Sequence, residues 1–343
     1  MASTTKIMTA TIVMENVTDI NEKVKISDKA SGIGGSRLGL QTNEEISVKD
    51  LLYGLLLCSG NDAAIALAEF VAGDVPSFAS MMNKKAEELG LKNTHFVTPH
   101  GLDDDEHYTT AYELALIADY ALNIKEIEQI VKTKSYTVYI NGRAKNINNT
   151  NELLGYLQGV YGVKTGFTNG ANRCLVTSVK RGDMNVICVV LGADTKKDRS
   201  RDSIKLIEYT FSNYQMVDIE FMIQDNFGSL CDITKFQIKK GIDNNLQIDL
   251  EQNDITLYPV YKDDIKDIRI EIEIKKQLVA PVYKNDKVGE LVVRIDDNVI
   301  FKLNIIAKND VRKKEIFDYY NDFLKNMSYW WKKGINNGIV EYI

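Results

Sequence analysis

Residues 159–191 read GVYGVKTGFTNGANRCLVTSVKRGDMNVICVVL, and this stretch decides the fold class. Gly159 to Lys164, Cys174 to Lys180 and Asn185 to Leu191 are short runs rich in β-branched residues. Arg181-Gly182-Asp183 joins the last two as a tight turn. Three strands in succession, with Tyr136 to Ile140 before them, predict an antiparallel meander.

Upstream the period changes from two to 3.6. Ile7, Met8, Ile12 and Val13 recur at helical spacing, so a helix from Ser3 to Met14 puts Ser3 and Lys6 one turn apart on one face. After a glycine-containing loop, Ser31 to Gly39, Ser47 is a natural N-cap for a helix Val48 to Leu57. That helix stops at Cys58-Ser59-Gly60-Asn61, and an apolar helix Asp62 to Ala72 follows at once. Ser59 and Asn61 are thereby expected in a tight turn between two buried helices. Further helices are read from Pro76 to Leu89, closed by Gly90, and from Ala111 to Leu122, where Thr110 and Glu113 have capping-box spacing. Asp198 to Tyr214 returns to helix. Helices packed on an antiparallel sheet make residues 1–216 an α+β domain.

At 343 residues the chain exceeds what a single core usually supports, so two domains are expected. Beyond about residue 217 the helices are expected to disappear. Alternation in Ile268 to Ile274, Val288 to Ile295 and Val299 to Ile306 predicts a small all-β domain over 217–310, read as a spacer or docking module. A helix from Val311 to Lys333 within the C-terminal segment 311–343 carries Ile316, Tyr320, Leu324, Met327 and Trp331 on one face, with Trp330 beside them. That pattern suits a membrane-surface anchor, with a helix packed on the β domain as the alternative.

Composition excludes several classes. Net charge is −6 with scattered basic residues, so no nucleic acid partner is expected. Cys58, Cys174, Cys188 and Cys231 are far apart and form no C-x-x-C pair, against a disulfide scaffold or zinc site. His95, His100 and His107 lie near Asp103 to Glu106, at spacings of five and seven residues. Structural histidines are the preferred reading, no metal is expected, and no cofactor is implied. No apolar run reaches about 18 residues, and no export signal opens the chain.

Three short motifs carry chemistry: Ser3-Thr4-Thr5-Lys6, Ser59-Gly60-Asn61 and Lys164-Thr165-Gly166. S-x-x-K alone occurs by chance about once in a chain of this size. The combination persuades, because each motif falls on a helix start, an interhelical turn and a strand respectively. A serine hydroxyl is a weak nucleophile at neutral pH and needs a base at hydrogen-bond distance. Lys6 serves only if neutral, and burial together with a second cation, Lys164, favours that form.

This is the motif set of penicillin-binding proteins and serine β-lactamases. With Leu57 to Ala64, Leu91-Lys92-Asn93-Thr94-His95-Phe96 and Pro99-His100-Gly101-Leu102-Asp103, the chain resembles the low-molecular-mass D-alanyl-D-alanine carboxypeptidases in particular. The resemblance covers residues 1 to about 216 strongly and the β domain more loosely. It implies a penicillin-binding-type domain that removes the terminal D-Ala from peptidoglycan stem peptides through an acyl-serine, with β-lactams as covalent inhibitors. β-Lactamase activity or a silent wall-binding role are the alternatives. By the same resemblance Ser3 is the nucleophile and Lys6 its base. Ser59 relays a proton, and Asn61 holds the substrate amide and Lys6. The backbone N–H groups of Ser3 and Phe167 form the oxyanion hole, with Gly166 allowing close approach. Lys164, Thr165 and Arg199 are candidates for the terminal carboxylate. Arg201 lies close enough to compete with Arg199, and a solvated Arg199 remains an equal reading. Family members carry an export signal and strands before the S-x-x-K helix. The expectation is therefore an exported full-length protein working in the cell wall or at the outer membrane face, read here from an N-terminally incomplete copy of lower stability. The C-terminal helix is then expected to anchor it.

Overall fold

The computed structural model describes residues 1–233, 237–242, 245–252, 257–275 and 277–338. They form two units, Met1–Ser212 and Asn213–Ile343.

The first unit opens with a 3-10 turn, Ala2–Thr5, running directly into α1, Lys6–Asn16. Strand β1 (Lys23–Lys25), the short helix α2 (Asp28–Gly32) and β2 (Glu45–Ser47) lead to α3, Val48–Leu56, whose N-cap is Ser47 as expected. Then come α4 (Asn61–Ala72), α5 (Val75–Glu88), α6 (Ala111–Leu122) and α7 (Lys125–Lys132), a hairpin β3 (Ser135–Ile140) and β4 (Arg143–Asn148), the meander β5 (Val160–Thr168), β6 (Asn172–Arg181) and β7 (Met184–Ala193), and α8 (Lys196–Asn213). The sheet order β5-β6-β7 is antiparallel throughout.

Helix α1 is buried along Lys6 to Val13, ringed by α3, α4, α5 and α6. It is the axis of the main core, which includes Ile7, Ile12, Leu51, Leu55, Ile65 and Phe78. Strand β6 is buried on both faces. Val176 joins that core, while Leu175 and Val179 join a smaller one with Cys188 and Ile207 of α8. This explains why the meander reads as near-continuous apolar runs rather than alternation. At α6 the capping box is half made: Thr110 Oγ1 accepts from Glu113 N at 3.1 Å. The Glu113 carboxylate instead accepts from Lys92 N and Asn93 N, each at 3.0 Å, and so pins the preceding loop.

The second unit holds a four-stranded antiparallel sheet in the order β10-β15-β14-β12. Its elements are β8 (Tyr214–Asp218), α9 (Ile219–Ile233), β9 (Gln237–Lys239), β10 (Ile248–Leu250), β11 (Leu257–Tyr261), β12 (Ile268–Ile274), β13 (Gln277–Val279), β14 (Lys287–Ile295), β15 (Asn298–Ala307) and α10 (Ile316–Gly338). The expectation that helices end near 217 is wrong, because α9 packs Ile219, Ile223 and Phe227 into this unit's core. Those residues lie at i, i+4 and i+8, a helical stripe in plain view. The last helix also starts later than Val311. Val311 is buried and exchanges two backbone hydrogen bonds with Val282, so residues 311–315 are extended and only then does α10 begin. Along α10 the apolar face is open: Ile316, Phe317, Tyr320, Phe323, Leu324 and Met327 are all exposed. Trp330 and Trp331 lie outside the residues whose side chains are described, as does Cys231.

Candidate active site

The 3-10 turn keeps Ser3 and Lys6 three residues apart on one edge, and the two side chains meet. Lys6 Nζ lies 2.8 Å from Ser3 Oγ, 2.8 Å from Asn61 Oδ1 and 2.8 Å from His100 O. Asn61 cannot turn its amide around, because its Nδ2 donates to Gly34 O at 2.8 Å. Gly35, at φ +82, leaves room for that amide, since a Cβ there would sit 2.7 Å from Asn61 Nδ2. Two of the three neighbours of Lys6 can therefore only accept. A neutral amine gives its two protons to Asn61 and His100 and aims its lone pair at the Ser3 hydroxyl. Lys6 is fully buried, and burial first, then the charge of Lys164, hold its pKa well below the usual lysine range.

Strand β5 forms the adjoining wall. A Cβ on Gly166 would lie 3.1 Å from Ala2 Cβ and 3.2 Å from Ser3 N. Glycine thus lets β5 lie close against the turn that carries Ser3. Lys164 is buried, donates to Thr165 O at 3.0 Å, and has its pKa lowered to about 7 by burial first, with Arg199 adding repulsion. Thr165 Oγ1 is 2.7 Å from Thr150 Oγ1. Phe167 is 47% exposed, with the Arg173 guanidinium 3.6 Å from the centre of its ring.

Several groups that the motifs do not flag hold this geometry. Asp62, fully buried at the start of α4, accepts from Leu38 N, Gly39 N and Leu40 N at 2.8, 2.7 and 3.0 Å. Three backbone donors satisfy a buried carboxylate and fix the loop beside Asn61. His107 Nδ1 accepts from Val97 N at 3.0 Å, which leaves the proton on Nε2 for Thr5 Oγ1 at 2.8 Å, and Thr5 Oγ1 donates to Ala2 O at 2.8 Å. This relay ties the Ser3 turn to the loop of residues 97–107, as does Thr9 Oγ1 donating to Pro99 O at 2.6 Å. His100 Nδ1 accepts from Leu102 N at 3.2 Å, and burial pushes the pKa of His100 down to about 3 and that of His107 to about 4. His95 Nδ1 bonds to Glu106 O at 2.5 Å. All three histidines are thus engaged with protein groups.

The structure gathers Ser3, Lys6, Asn61, Lys164, Thr165 and Gly166 around one cleft; two expected residues stand differently. Ser59 occupies the turn between α3 and α4 at φ +65, but its hydroxyl bonds to neither Ser3 nor Lys6. Arg199 is buried rather than solvated, and its guanidinium pairs with Glu152 while Nη1 reaches Cys174 O at 3.4 Å. Arg201 is about half exposed and pairs with Asp198 and Asp202, away from that arrangement. Cys58 beside Ser59 is partly buried, donates to Gly54 O at 3.2 Å, and burial raises its pKa, so it is a protonated packing residue and no rival nucleophile.

Comparison with known proteins gives the same picture. Residues 1–195 match the family model described as D-alanyl-D-alanine carboxypeptidase, and residues 232–313 match that of the penicillin-binding protein 5 C-terminal domain. The D-alanyl-D-alanine carboxypeptidase DacF of Bacillus subtilis is 35% identical over 319 residues, 91% of this chain and 79% of that protein. Penicillin-binding protein 5 of Haemophilus influenzae superposes with a TM-score of 0.74 at 31% identity, covering 91% of this chain and 90% of that one. A Streptomyces DD-transpeptidase matches with a TM-score of 0.59 at 37% identity, over 62% of this chain and 87% of its own. On these grounds the chain belongs to the D-alanyl-D-alanine carboxypeptidase family of serine peptidases.

Proposed function

We propose that Ser3 is the acylated nucleophile of a D-alanyl-D-alanine carboxypeptidase acting on peptidoglycan stem peptides. The observation that carries this is the Lys6 amine, whose two acceptor-only neighbours direct its lone pair to Ser3 Oγ at 2.8 Å. Lys6 takes the Ser3 proton as Oγ attacks the carbonyl of the penultimate D-Ala. The oxyanion is held by the N–H groups of Ser3 and Phe167, a reading supported by Gly166 lying close against Ser3 N. The proton returns to the leaving D-Ala amine from Lys6, with Ser59 as relay. Water then cleaves the acyl-enzyme by the same base. Thr165 and Lys164 receive the terminal carboxylate. For Thr165 Oγ1 to donate to it, Thr150 must donate to Thr165, which their 2.7 Å contact permits.

β-Lactams enter the same reaction and stop at the acyl-enzyme. Benzylpenicillin is expected to add one adduct by intact mass, lost in Ser3→Ala. A folded wild type that takes no adduct overturns the assignment. Work on peptidoglycan belongs outside the cytoplasmic membrane, and the open apolar face of α10, with Ile316 90% and Phe323 60% exposed, fits insertion at the membrane surface. Deleting residues 316–343 is expected to abolish co-sedimentation with phospholipid vesicles; retained binding removes the anchor.

A further inference from the structure

Three consecutive residues run past the β5 side of the cleft, and each grips a different part of it. Thr150 N donates to Leu57 O at 3.1 Å and its hydroxyl meets Thr165. Asn151 Nδ2 donates to Gly162 O at 2.9 Å. Glu152 Oε1 accepts from Arg199 Nη2 and, at 2.6 Å, from Ser200 Oγ. The Arg199 side chain is 3% exposed and that of Glu152 39%. The other acceptor of Arg199, Cys174 O, belongs to the residue opposite Gly166, and Arg199 Nε has no partner among the described residues. A buried guanidinium with an unused donor therefore lies at β6, on the carbonyl of the residue opposite Gly166, and its charge is felt at Lys164. Its one charged partner among the described residues is the part-exposed Glu152 carboxylate.

We propose that Glu152 is a specificity-determining residue at the carboxylate-binding end of the cleft, where it offsets the Arg199 charge and so moderates the preference for a free carboxylate over an uncharged substrate terminus. The proposal rests on the carboxypeptidase reading. Two anions drawing on one buried cation repel each other, so the field that Arg199 offers to a substrate carboxylate is weakened by Glu152. Glutamine keeps an oxygen for Arg199 Nη2 and Ser200 Oγ and deletes only the charge. Aspartate keeps the charge.

The test compares the full chain with Glu152→Gln, Glu152→Asp and Glu152→Gln/Arg199→Gln on a peptide ending in D-Ala-D-Ala and the same peptide carboxamidated. Release of D-Ala or D-alaninamide is followed. Glu152→Gln is expected to raise the acid-to-amide ratio of kcat/KM about threefold to tenfold, mainly through KM for the acid. Glu152→Asp restores the wild-type ratio, and adding Arg199→Gln cancels the gain. A ratio that does not rise in Glu152→Gln, that rises equally in Glu152→Asp, or that stays high without Arg199 overturns the proposal. Benzylpenicillin acylation of the wild type separates the two readings. An unreactive wild type sinks both; an acylated wild type with an unmoved ratio sinks the role of Glu152 alone.

Discussion

The two units handle polar residues in opposite ways. In the second unit β12 alternates strictly, Ile268, Ile270, Ile272 and Ile274 facing inward between Arg269, Glu271 and Glu273. Among the described residues, every buried polar or charged side chain lies at or before Ser203, in the first unit. Two of these, Lys6 and Asn61, bond directly to each other beside Ser3, and Lys164 and Thr165 lie on the adjoining strand β5. Burying a charge costs several kcal/mol unless partners offset it, so each break of an apolar-in, polar-out rule needs partners: Glu113 has Lys92 N and Asn93 N, and Lys6 has Asn61 and His100. The second unit obeys the rule, whereas the first departs from it both around Ser3 and at structural carboxylates such as Asp50 and Glu113.

Replacing the groups that break the rule should give the largest effects. Lys6→Met keeps the volume and apolar fit of α1 while removing the base. Acylation by benzylpenicillin is expected to slow by about 10² to 10⁴, with the thermal midpoint retained or raised because a buried amine is gone. A rate within threefold of wild type would mean that Lys6 is structural. Asp62→Ala leaves the Leu38, Gly39 and Leu40 N–H groups without their acceptor and is expected to cost about 3 to 5 kcal/mol in urea unfolding of the first unit. A loss below about 1 kcal/mol would show that water replaces the carboxylate.

What the sequence made legible follows the same division. Ser3 and Lys6, Ser59 and Asn61, and Lys164 to Gly166 could be found because each motif is local and sits on an element with a clear period. The roles of Asp62, Thr150 and Glu152 could not, since the loop that Asp62 holds is 22 or more residues away; the histidines read as structural, but nothing local pointed His107 to Thr5, 102 residues distant. No local pattern marks the carbonyl of His100 as a neighbour of Lys6. Strand β4 escapes a pattern search for a different reason. Only Ile147 of it is buried, so it shows no alternation, and its trace is the Asn141-Gly142 dipeptide, with φ of +47 and +77. The α9 stripe was readable and competes with flanking strand patterns. Arg199 shows the limit most clearly, since a surface cation and a buried, paired one have the same local sequence.

The second unit should break by packing alone. Leu291 is fully buried in β14 within its core, and Leu291→Ala is expected to lower that unit's stability by about 2 to 5 kcal/mol. The penicillin acylation rate of the folded protein is expected to stay within twofold. A parallel fall in acylation would show that the two units do not divide stability and chemistry as argued.

The smallest effect is the sharpest probe of the contrast, because it follows two protons. Acylation requires neutral Lys6, so kcat/KM rises with pH as Lys6 deprotonates and then levels. The Lys164 charge is the second contributor, after burial, that lowers the Lys6 pKa. Lys164→Met should therefore move the acid limb of the profile to higher pH, whatever it does to the plateau. Stability gives the companion sign. Lys164 titrates at about 7 in the folded unit against an ordinary value of 10.5. Between those values the unfolded chain holds a proton that the folded one has released, so stability rises with pH from about 7 upward, by at most about 1.4 kcal/mol per unit for this group, and is flat below 7. Lys164→Met should remove that rise from the first unit's urea midpoint measured from pH 7 to 9. The second unit, with no buried lysine among its described residues, has no such slope to lose. An acid limb that stays in place when Lys164 is replaced would mean that burial alone keeps Lys6 neutral.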